Sequence, residues 1–295
     1  MKFSNLYTKG CLLGLVLATY VLSSCKKDGN PNNLPDVNAA DYVGKIDGFS
    51  SSEELYPKNL VAYWSFDDTK NELKSATAPT STANDVFITG VRGKAIKLTG
   101  GYLYYAKQFD AFKTDAFKSF TISVWVQITN NGSKRTMLMQ FARPTIFDGN
   151  LDFRLNTQNY TATVTDKLSV GPRFSTVGGG SQDNLNATLN PTIGATVWTH
   201  LVLTYDGTTG IFKEWANGID IGSYNSRGTG NNLFKSYEPS EFIIGANYNA
   251  IPGKTINADA NYAAMTGSID ELRVFNMVLP DAYIKAMYNL GLAGK

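Results

Sequence analysis

The chain contains many short segments that favour β-strands, and this pattern constrains its fold more than any other feature of the sequence. The segments are rich in β-branched and aromatic residues and are separated by clusters of Gly, Asn, Asp and Pro, a pattern typical of all-β sandwiches and barrels. In chain order they read VAYWSF, KAIKL, YLYYA, FTISVWVQI, TMLMQF, LDFRL, THLVLTY, IFKEWA, FIIGA and SIDELRVF. The sequence therefore predicts an all-β domain over residues 60–295.

Local patterns indicate how these strands are arranged. The segment FTISVWVQI alternates in polarity, which predicts a strand with one face turned into a sandwich core. Its predicted core face consists of Ile122, Val124, Val126 and Ile128. The dipeptide Asn217-Gly218 predicts a two-residue hairpin, because both central positions of that turn need positive φ. A single short helix is predicted from Pro280 to Leu290, with Ala282, Ile284, Ala286 and Met287 on its apolar face.

The N-terminus predicts export and a lipid anchor. An apolar run from Cys11 to Leu22 follows two lysines; it is too short to cross a bilayer as a helix and matches the hydrophobic region of a signal peptide. The run leads into Leu-Ser-Ser-Cys, which resembles the lipobox of a bacterial lipoprotein. We therefore predict a signal peptide over residues 1–24 and lipidation of Cys25. A plain secretory signal with an incidental cysteine is the alternative.

The residues after the cysteine predict a spacer. Residues 25–59 are rich in Asn, Asp, Ser, Gly and Pro, as in a flexible tether, although Tyr42 to Phe49 is a candidate for docking on the domain. The expected location is the cell envelope, in the outer membrane of a Gram-negative bacterium by analogy with lipoproteins of glycan-degrading species. The sequence leaves the membrane and its face open.

Cysteine usage and charge exclude several kinds of chemistry. Cys11 lies in the signal segment and Cys25 would carry lipid, so the mature chain has no thiol for disulfides or thiolate metal sites. The chain has 27 Lys plus Arg and 25 Asp plus Glu, and cleavage removes Lys2 and Lys9. A mature chain with balanced charge and no basic cluster gives no electrostatic footprint for nucleic acid.

The order of the strand motifs resembles that of a known family. LVAYWSFDD, GVRGKAIKLTGGYLYY, SFTISVWVQI, WTHLVLTYDG, KEWANG, FIIG and GSIDELRVFNMVLP are similar in sequence and order to LamG-like, concanavalin A-like lectin/glucanase domains. The resemblance spans about residues 60–290. It implies a jelly-roll sandwich of two antiparallel sheets, in a family whose members bind glycans or proteins and whose relatives include glycoside hydrolases.

The residues favour binding over catalysis. Retaining hydrolases of this fold carry catalytic carboxylates at positions i and i+2 of one strand, where both side chains share a face, and the chain has no acid-x-acid pair. The adjacent acids Asp270 and Glu271 would point to opposite faces of a regular strand. Carboxylates from different strands stay an open alternative. His200, the one histidine, is interpreted as a packed strand residue.

The resemblance also implies one calcium ion. Calcium prefers carboxylate, carbonyl and amide oxygens, and many LamG-like domains hold one such ion. The candidate ligands are Asp67 and Asp270, since the chain ends usually pair in this fold. The alternative is that Asp67 caps a turn and that Asp270 accepts hydrogen bonds from nearby backbone amides.

Glycan binding is the predicted function. Aromatic faces contact sugar CH groups, while amides and carboxylates bind the hydroxyls, and such side chains concentrate in loops on a rigid scaffold. The candidate ligand residues are Tyr160, Phe174, Asn184 and Tyr248, and the long insertion from Thr157 to Thr192 is the region of first interest. A protein-binding adhesion module and a structural envelope component are the alternatives.

Overall fold

The computed structural model describes residues 42–295, apart from 131–134, 157–159, 161–162, 184, 225–228 and 258. Two predicted sites, Cys25 and Asn184, lie outside the described residues. Residues Gly44–Lys295 form one compact unit. Across the described part of the chain, no helix has both the length and the apolar character needed to cross a membrane.

The described residues form fifteen strands and one α-helix, with short 3-10 helices between them. The first strands are β1 (Leu60–Trp64), β2 (Ser81–Thr89), β3 (Lys94–Tyr105), β4 (Phe120–Ile128), β5 (Arg135–Ala142), β6 (Leu151–Asn156), β7 (Ser169–Val170) and β8 (Arg173–Ser175). The others are β9 (Ser181–Gln182), β10 (Thr199–Asp206), β11 (Ile211–Ala216), β12 (Ile219–Tyr224), β13 (Glu241–Ile244), β14 (Tyr262–Ala263) and β15 (Met265–Phe275). The helix α1 is Asp281–Leu292.

The strands pair into a curled, almost entirely antiparallel sheet, which confirms the predicted jelly-roll class. The strand order is β12-β11-β10-β4-β15-β3-β13-β5-β6-β8-β9, with β1 beside β15 and β2 beside β3. The sheet curls so that its two halves face each other, and the side chains that point inward from both halves form one large apolar core. Ile122, Val124, Val126 and Ile128 lie in it as predicted. The hairpin is also confirmed, with φ of 52° at Asn217 and 74° at Gly218.

Cross-strand register sorts the side chains of β3, β13, β5, β6 and β8 into two rows. One row enters the core and consists of Tyr105, Phe242, Phe141, Leu151 and Phe174. The neighbouring row lies on the outer face and consists of Tyr104, Ile243, Gln140, Asp152 and Arg173. Because successive strand residues alternate between faces, the apolar row is buried between the sheets and the polar row meets the covering loops.

The outer face of the other half of the sheet is covered by α1. Ile284, Met287 and Leu290 pack there with Val202 and Phe275 in a second apolar cluster. Ala282, predicted on the apolar face of the helix, is exposed instead, and the buried side of the helix runs from Ile284 to Gly291.

Part of the segment assigned to the tether also packs on this cluster. Leu55 is buried within it, and Ile46, Phe49 and Tyr56 pack against it. The packing of Ile46 and Phe49 confirms that the segment from Tyr42 to Phe49 docks on the domain, whereas Leu55 and Tyr56 extend the contact beyond the predicted segment.

A β-bulge changes the predicted faces of β15. The register shifts between Asp270 and Arg273, and Glu271 has φ of 50°. Regular alternation would place Ile269 and Leu272 on opposite faces of the strand. Both lie in the main core instead, because the bulge contributes one extra residue. The prediction that Asp270 and Glu271 point to opposite faces is therefore wrong: both side chains meet the turn that carries Arg92.

Candidate functional site

A cavity of about 340 Å³ lies between the loop after β5 and the loops between β13 and β15. Cavities that bind small ligands begin at about this size. The aromatic and polar side chains that line it are Phe147, Asn247, Asn249, Thr255, Asp259 and Tyr262. We call it the loop cavity.

Two aromatic rings form the apolar part of the loop cavity. The ring centroids of Phe147 and Tyr262 are 5.2 Å apart, with the planes at 73°, an edge-to-face arrangement that aromatic pairs prefer. The Arg135 guanidinium lies 5.7 Å from the centroid of the Tyr262 ring. Both rings are half-buried, so each keeps surface that a ligand can cover.

A buried hydrogen-bond network fixes the two loops against the sheet. Gln140 Nε2 donates to Asp152 Oδ1 at 2.8 Å and to the Phe147 carbonyl at 3.2 Å, while Gln140 Oε1 accepts the Tyr248 N–H at 2.7 Å. The Gly149 N–H donates to Asp152 Oδ1 at 3.0 Å. Two adjacent strands thus anchor the residues beside both walls of the cavity.

A direct contact then joins the two walls. Asn247 Nδ2 donates to the Phe147 carbonyl at 3.2 Å, and Asn247 Oδ1 accepts the Asn249 N–H at 2.9 Å. On the far side, Asn249 Oδ1 accepts the Ile256 N–H at 2.9 Å. The amides that line the cavity therefore hold its shape as well as presenting polar atoms to it.

The charge of Asp152 is poorly compensated. The side chain is fully buried, Oδ2 has no hydrogen-bond partner within the described residues, and the nearest cation, Arg173 Nη1, is 3.7 Å away. Burial raises the pKa of Asp152 to about 6, against the opposing effects of Arg173 and Gln140. Since no ligand can reach it, Asp152 positions the loops and does not contact a ligand.

The predicted ligand residues are dispersed. Phe174 is 0% exposed and packs against Tyr205 and Phe212, so the structure moves it from the candidate ligand residues to the core. Tyr160 bonds to Asn190 within the long insertion. Tyr248 lies next to the loop cavity but is only 4% exposed.

The predicted calcium ligands both meet the turn between β2 and β3. Asp270 Oδ2 accepts the N–H groups of Val91 and Arg92 at 2.8 and 3.2 Å, and its Oδ1 accepts the Glu271 N–H at 2.8 Å. Asp67 Oδ1 accepts the Lys94 N–H at 2.7 Å. Both oxygens of Asp270 and Oδ1 of Asp67 therefore accept backbone N–H groups, which fits the alternative that these carboxylates anchor a turn; calcium binding stays a prediction.

This turn depends on two glycines. A Cβ at Gly90 would lie 2.3 Å from Asp270 Oδ2, and one at Gly93 would lie 2.0 Å from Asp67 Oδ1.

Burial raises the pKa of Asp270 to about 8, although the backbone N–H donors oppose the shift. Within the described ranges, no group of three His, Cys, Asp or Glu residues is arranged to hold a metal.

His200 is buried under α1. Its Nε2 lies 2.7 Å from Ser123 Oγ, and its ring lies at a tilt to Trp125 with the centroids 4.9 Å apart. Its Nδ1 has no hydrogen-bond partner in the described part of the chain. Burial, with the Arg273 charge, lowers the pKa of His200 to about 3. A neutral, sealed imidazole cannot act on a substrate.

Sequence reasoning did not identify Phe147, Tyr262, Gln140 or Asp152. The last two carry a readable signal, because each is a polar residue at a position that alternation places away from the apolar row, in TMLMQFA and LDFRL. Phe147 and Tyr262 carry none: the fold brings together a loop residue and a residue of the short strand β14 that are far apart in the chain.

Comparison with protein families gives one match. The model of a family described as the concanavalin A-like lectin/glucanases superfamily matches residues 100–285, which is more than half of the chain. No curated protein matches the chain.

Solved structures share the fold at low identity. The binding domain of Paraclostridial Mosquitocidal Protein 1 is 16% identical, with a TM-score of 0.53. The binding domain of Botulinum neurotoxin DC, solved in complex with rat synaptotagmin II, is 14% identical, also with a TM-score of 0.53. Each likeness covers 79% of this chain, which spans 52% of the length of either structure. Both similar structures are binding domains, and at these identities they show the fold alone.

Proposed function

Because this chain belongs to the concanavalin A-like lectin/glucanases superfamily, we propose that it is a non-catalytic glycan-binding protein whose loop cavity holds the sugar. The observation that carries the proposal is the combination in one cavity of two half-buried rings, Phe147 and Tyr262, with amide and carboxylate side chains. Rings cover the apolar face of a sugar, and amides and carboxylates bind its hydroxyls.

The lining favours binding over hydrolysis. Among the described residues that line the loop cavity, Asp259 is the one carboxylate, whereas glycoside hydrolysis uses a pair. Asp152, the nearest other acid with a raised pKa, is sealed beneath the loops. We therefore assign the cavity a role in binding, because its described lining lacks the acid and base pair that hydrolysis needs.

We extend the proposal to the location of the protein. The signal segment of residues 1–24, lipidation at Cys25 and the polar residues that follow support an exported lipoprotein in the cell envelope, held by its acyl chains in the outer membrane of a Gram-negative bacterium. Metabolic labelling with a palmitate analogue tests this, because Cys25→Ala should abolish incorporation of the label. Calcium binding stays a prediction from the family resemblance, and a Ca²⁺ titration of the full chain tests it.

A glycan array with the full chain tests the main proposal. We expect binding to at least one neutral oligosaccharide, with affinity reduced by about tenfold or more in Phe147→Ala/Tyr262→Ala because both ring contacts are lost. Phe87→Ala is the matched control, since Phe87 is a half-buried ring on β2 outside the cavity lining. Absence of binding to every glycan, with and without Ca²⁺, would refute the proposal.

A protein partner is the second candidate function. Two exposed aliphatic side chains, Ile146 at 39% and Ile256 at 45%, adjoin the residues that line the loop cavity and favour an apolar contact surface. Ile146→Asp/Ile256→Asp distinguishes the two functions: it should leave binding of a small oligosaccharide unchanged and should abolish capture of a protein partner.

A further inference from the structure

A second cavity shares no lining residue with the loop cavity. It also has a volume of about 340 Å³ and lies where the ends of β4 and β10 meet the segment before β13. Its apolar surface comes from Val177, Leu233 and Phe234, and two lysines, Lys118 and Lys235, also line it. We call it the lysine cavity.

The apolar wall of the lysine cavity is well anchored. Phe234 is only 7% exposed, and its ring meets Phe117 edge-on with centroids 6.0 Å apart. The Phe234 N–H donates to Tyr205 Oη at 3.1 Å, and the Val177 N–H donates to the Leu233 carbonyl at 2.8 Å. Backbone and core contacts therefore hold this surface open before any ligand arrives.

The two lysines have no ion-pair partner. In the part of the chain that the structure describes, neither Lys118 nor Lys235 has a carboxylate oxygen within 4.0 Å. Lys235 Nζ instead lies 4.7 Å from the Tyr237 ring centroid, and the Arg143 guanidinium lies 4.3 Å from the same centroid. Lys235 and Arg143 thus both contact the Tyr237 ring.

Two carboxylates near the cavity in the chain, Asp206 and Glu238, accept hydrogen bonds from other residues. Asp206 accepts the Thr208 N–H and the Thr209 hydroxyl, both at 2.8 Å, and Glu238 Oε1 accepts the Thr114 N–H at 2.9 Å. The cavity therefore offers ammonium groups without acids of its own to neutralise them.

We propose that the lysine cavity is a second ligand site, which takes a small organic carboxylate with an apolar body. The body would cover the Val177, Leu233 and Phe234 surface, and the carboxylate would pair with Lys118 and Lys235 in charge-assisted hydrogen bonds. An acidic sugar and an aromatic carboxylate share this chemistry. The site goes beyond the proposed glycan binding, because it selects for charge and uses different residues.

Calorimetric titration of the full chain tests the proposal. The acidic sugar is represented by trigalacturonate and the aromatic carboxylate by 2-naphthoate. The neutral probes are trigalactose and 2-naphthol. We expect at least one anion to bind about tenfold or more tightly than its neutral counterpart, and to bind less tightly as salt is raised. Whichever anion binds shows whether the ligand is an acidic sugar or an aromatic carboxylate.

Variants assign the binding to this cavity. Lys118→Ala/Lys235→Ala should weaken anion binding by about tenfold or more. The control Lys97→Ala/Lys285→Ala removes the same charge from two exposed lysines elsewhere and should leave the affinity unchanged. Phe147→Ala/Tyr262→Ala should also leave it unchanged, which separates this site from the loop cavity. Thermal unfolding of each variant verifies that it is folded.

Three results would overturn the proposal. They are the absence of binding by both anions, equal binding of the neutral probes, and an equal loss of affinity in the two double-lysine variants. None of them bears on the loop cavity, whose neutral oligosaccharide is titrated separately.

Discussion

The outer faces of the two halves of the sheet are covered in different ways, one by a helix and the other by loops. The half with β10, β4 and β15 is covered by α1, whose apolar side chains pack on the strands. The half with β13, β5 and β6 is covered by loops, which leave the loop cavity open. A helix satisfies its own backbone hydrogen bonds, so it can close on an apolar face directly.

A loop needs partners for its backbone groups, and the sheet provides them. Gln140 and Asp152 rise from β5 and β6 to bond the Phe147 carbonyl and the N–H groups of Gly149 and Tyr248. The helix side has a smaller buried polar pair, Ser123 with His200. On the loop side, buried polar side chains hold the loops that form the cavity. On the helix side, the Ser123–His200 pair is buried and has no access to solvent.

Removing the loop network should have the largest effect. Gln140→Leu deletes three buried hydrogen bonds and leaves the Tyr248 N–H without its acceptor, so we expect a loss of about 3 kcal/mol in the free energy of unfolding together with loss of glycan binding. Denaturant unfolding and calorimetry measure the two effects. Gln127→Leu is the control, a half-buried glutamine on β4, and should change stability by less than about 1 kcal/mol. Equal effects of the two substitutions would contradict the assigned role of the network.

His200 should make the helix side sensitive to acid. Its pKa is about 3 in the folded state and about 6.5 when unfolded, so the unfolded chain binds the proton first and stability falls as pH drops below 6.5. We expect His200→Gln to remove roughly 3 kcal/mol of the loss between pH 7 and pH 4. His200 is the one histidine in the chain, so the difference between the two unfolding curves reports this imidazole. If the free energy of unfolding fell equally with pH in both proteins, His200 would be exposed to solvent and not buried.

Asp152 should give the loop side the opposite pH dependence. Its pKa is about 6 when folded and about 3.9 when unfolded, so the folded state binds the proton first and stability falls as pH rises from 4 to 6. Asp152→Asn keeps the shape without the charge and should remove roughly 2 kcal/mol of this change. Unfolding free energies at pH 4, 5 and 6 measure it. An unchanged slope in the variant would mean that Arg173 fully compensates the carboxylate.

Much of this fold could be predicted from sequence, because alternation reports directly which strand side chains are buried. FTISVWVQI is confirmed for that reason, and the Asn217-Gly218 hairpin is confirmed because its turn needs two residues that tolerate positive φ. The strand β2, STANDVFIT, was missed because it lies at the sheet edge, is mostly polar and has no fully buried residue. The bulge at Glu271 was missed because one extra residue inverts alternation without changing composition.

The site was harder to predict than the fold. Its walls come from segments about a hundred residues apart, and the pairing of β5 with β13 and β14 brings them together. The predicted candidate Tyr248 lies beside the cavity yet faces inward, because its backbone bonds to Gln140. Phe174 had the right chemistry for stacking on a sugar, but the inward row of β8 buries it. Residue type indicates what a side chain can bind, and only register and loop anchoring decide whether it is exposed.

The smallest predicted effect concerns how closely α1 sits on the sheet. A Cβ at Gly291 would lie 2.5 Å from Trp125 Cζ2, in a ring that stacks on Tyr288 and contacts His200 at a tilt. Alanine favours a helix over glycine by about 1 kcal/mol, whereas overpacking a core costs about 1 to 3 kcal/mol. We therefore expect Gly291→Ala to lower the free energy of unfolding by about 1 kcal/mol, as measured in denaturant. Leu292→Ala, at a side chain 62% exposed, is the neighbouring control and should be close to neutral. A gain in stability from Gly291→Ala would mean that the helix can shift away from Trp125, and that the helix-covered face is less tightly closed than its packing indicates.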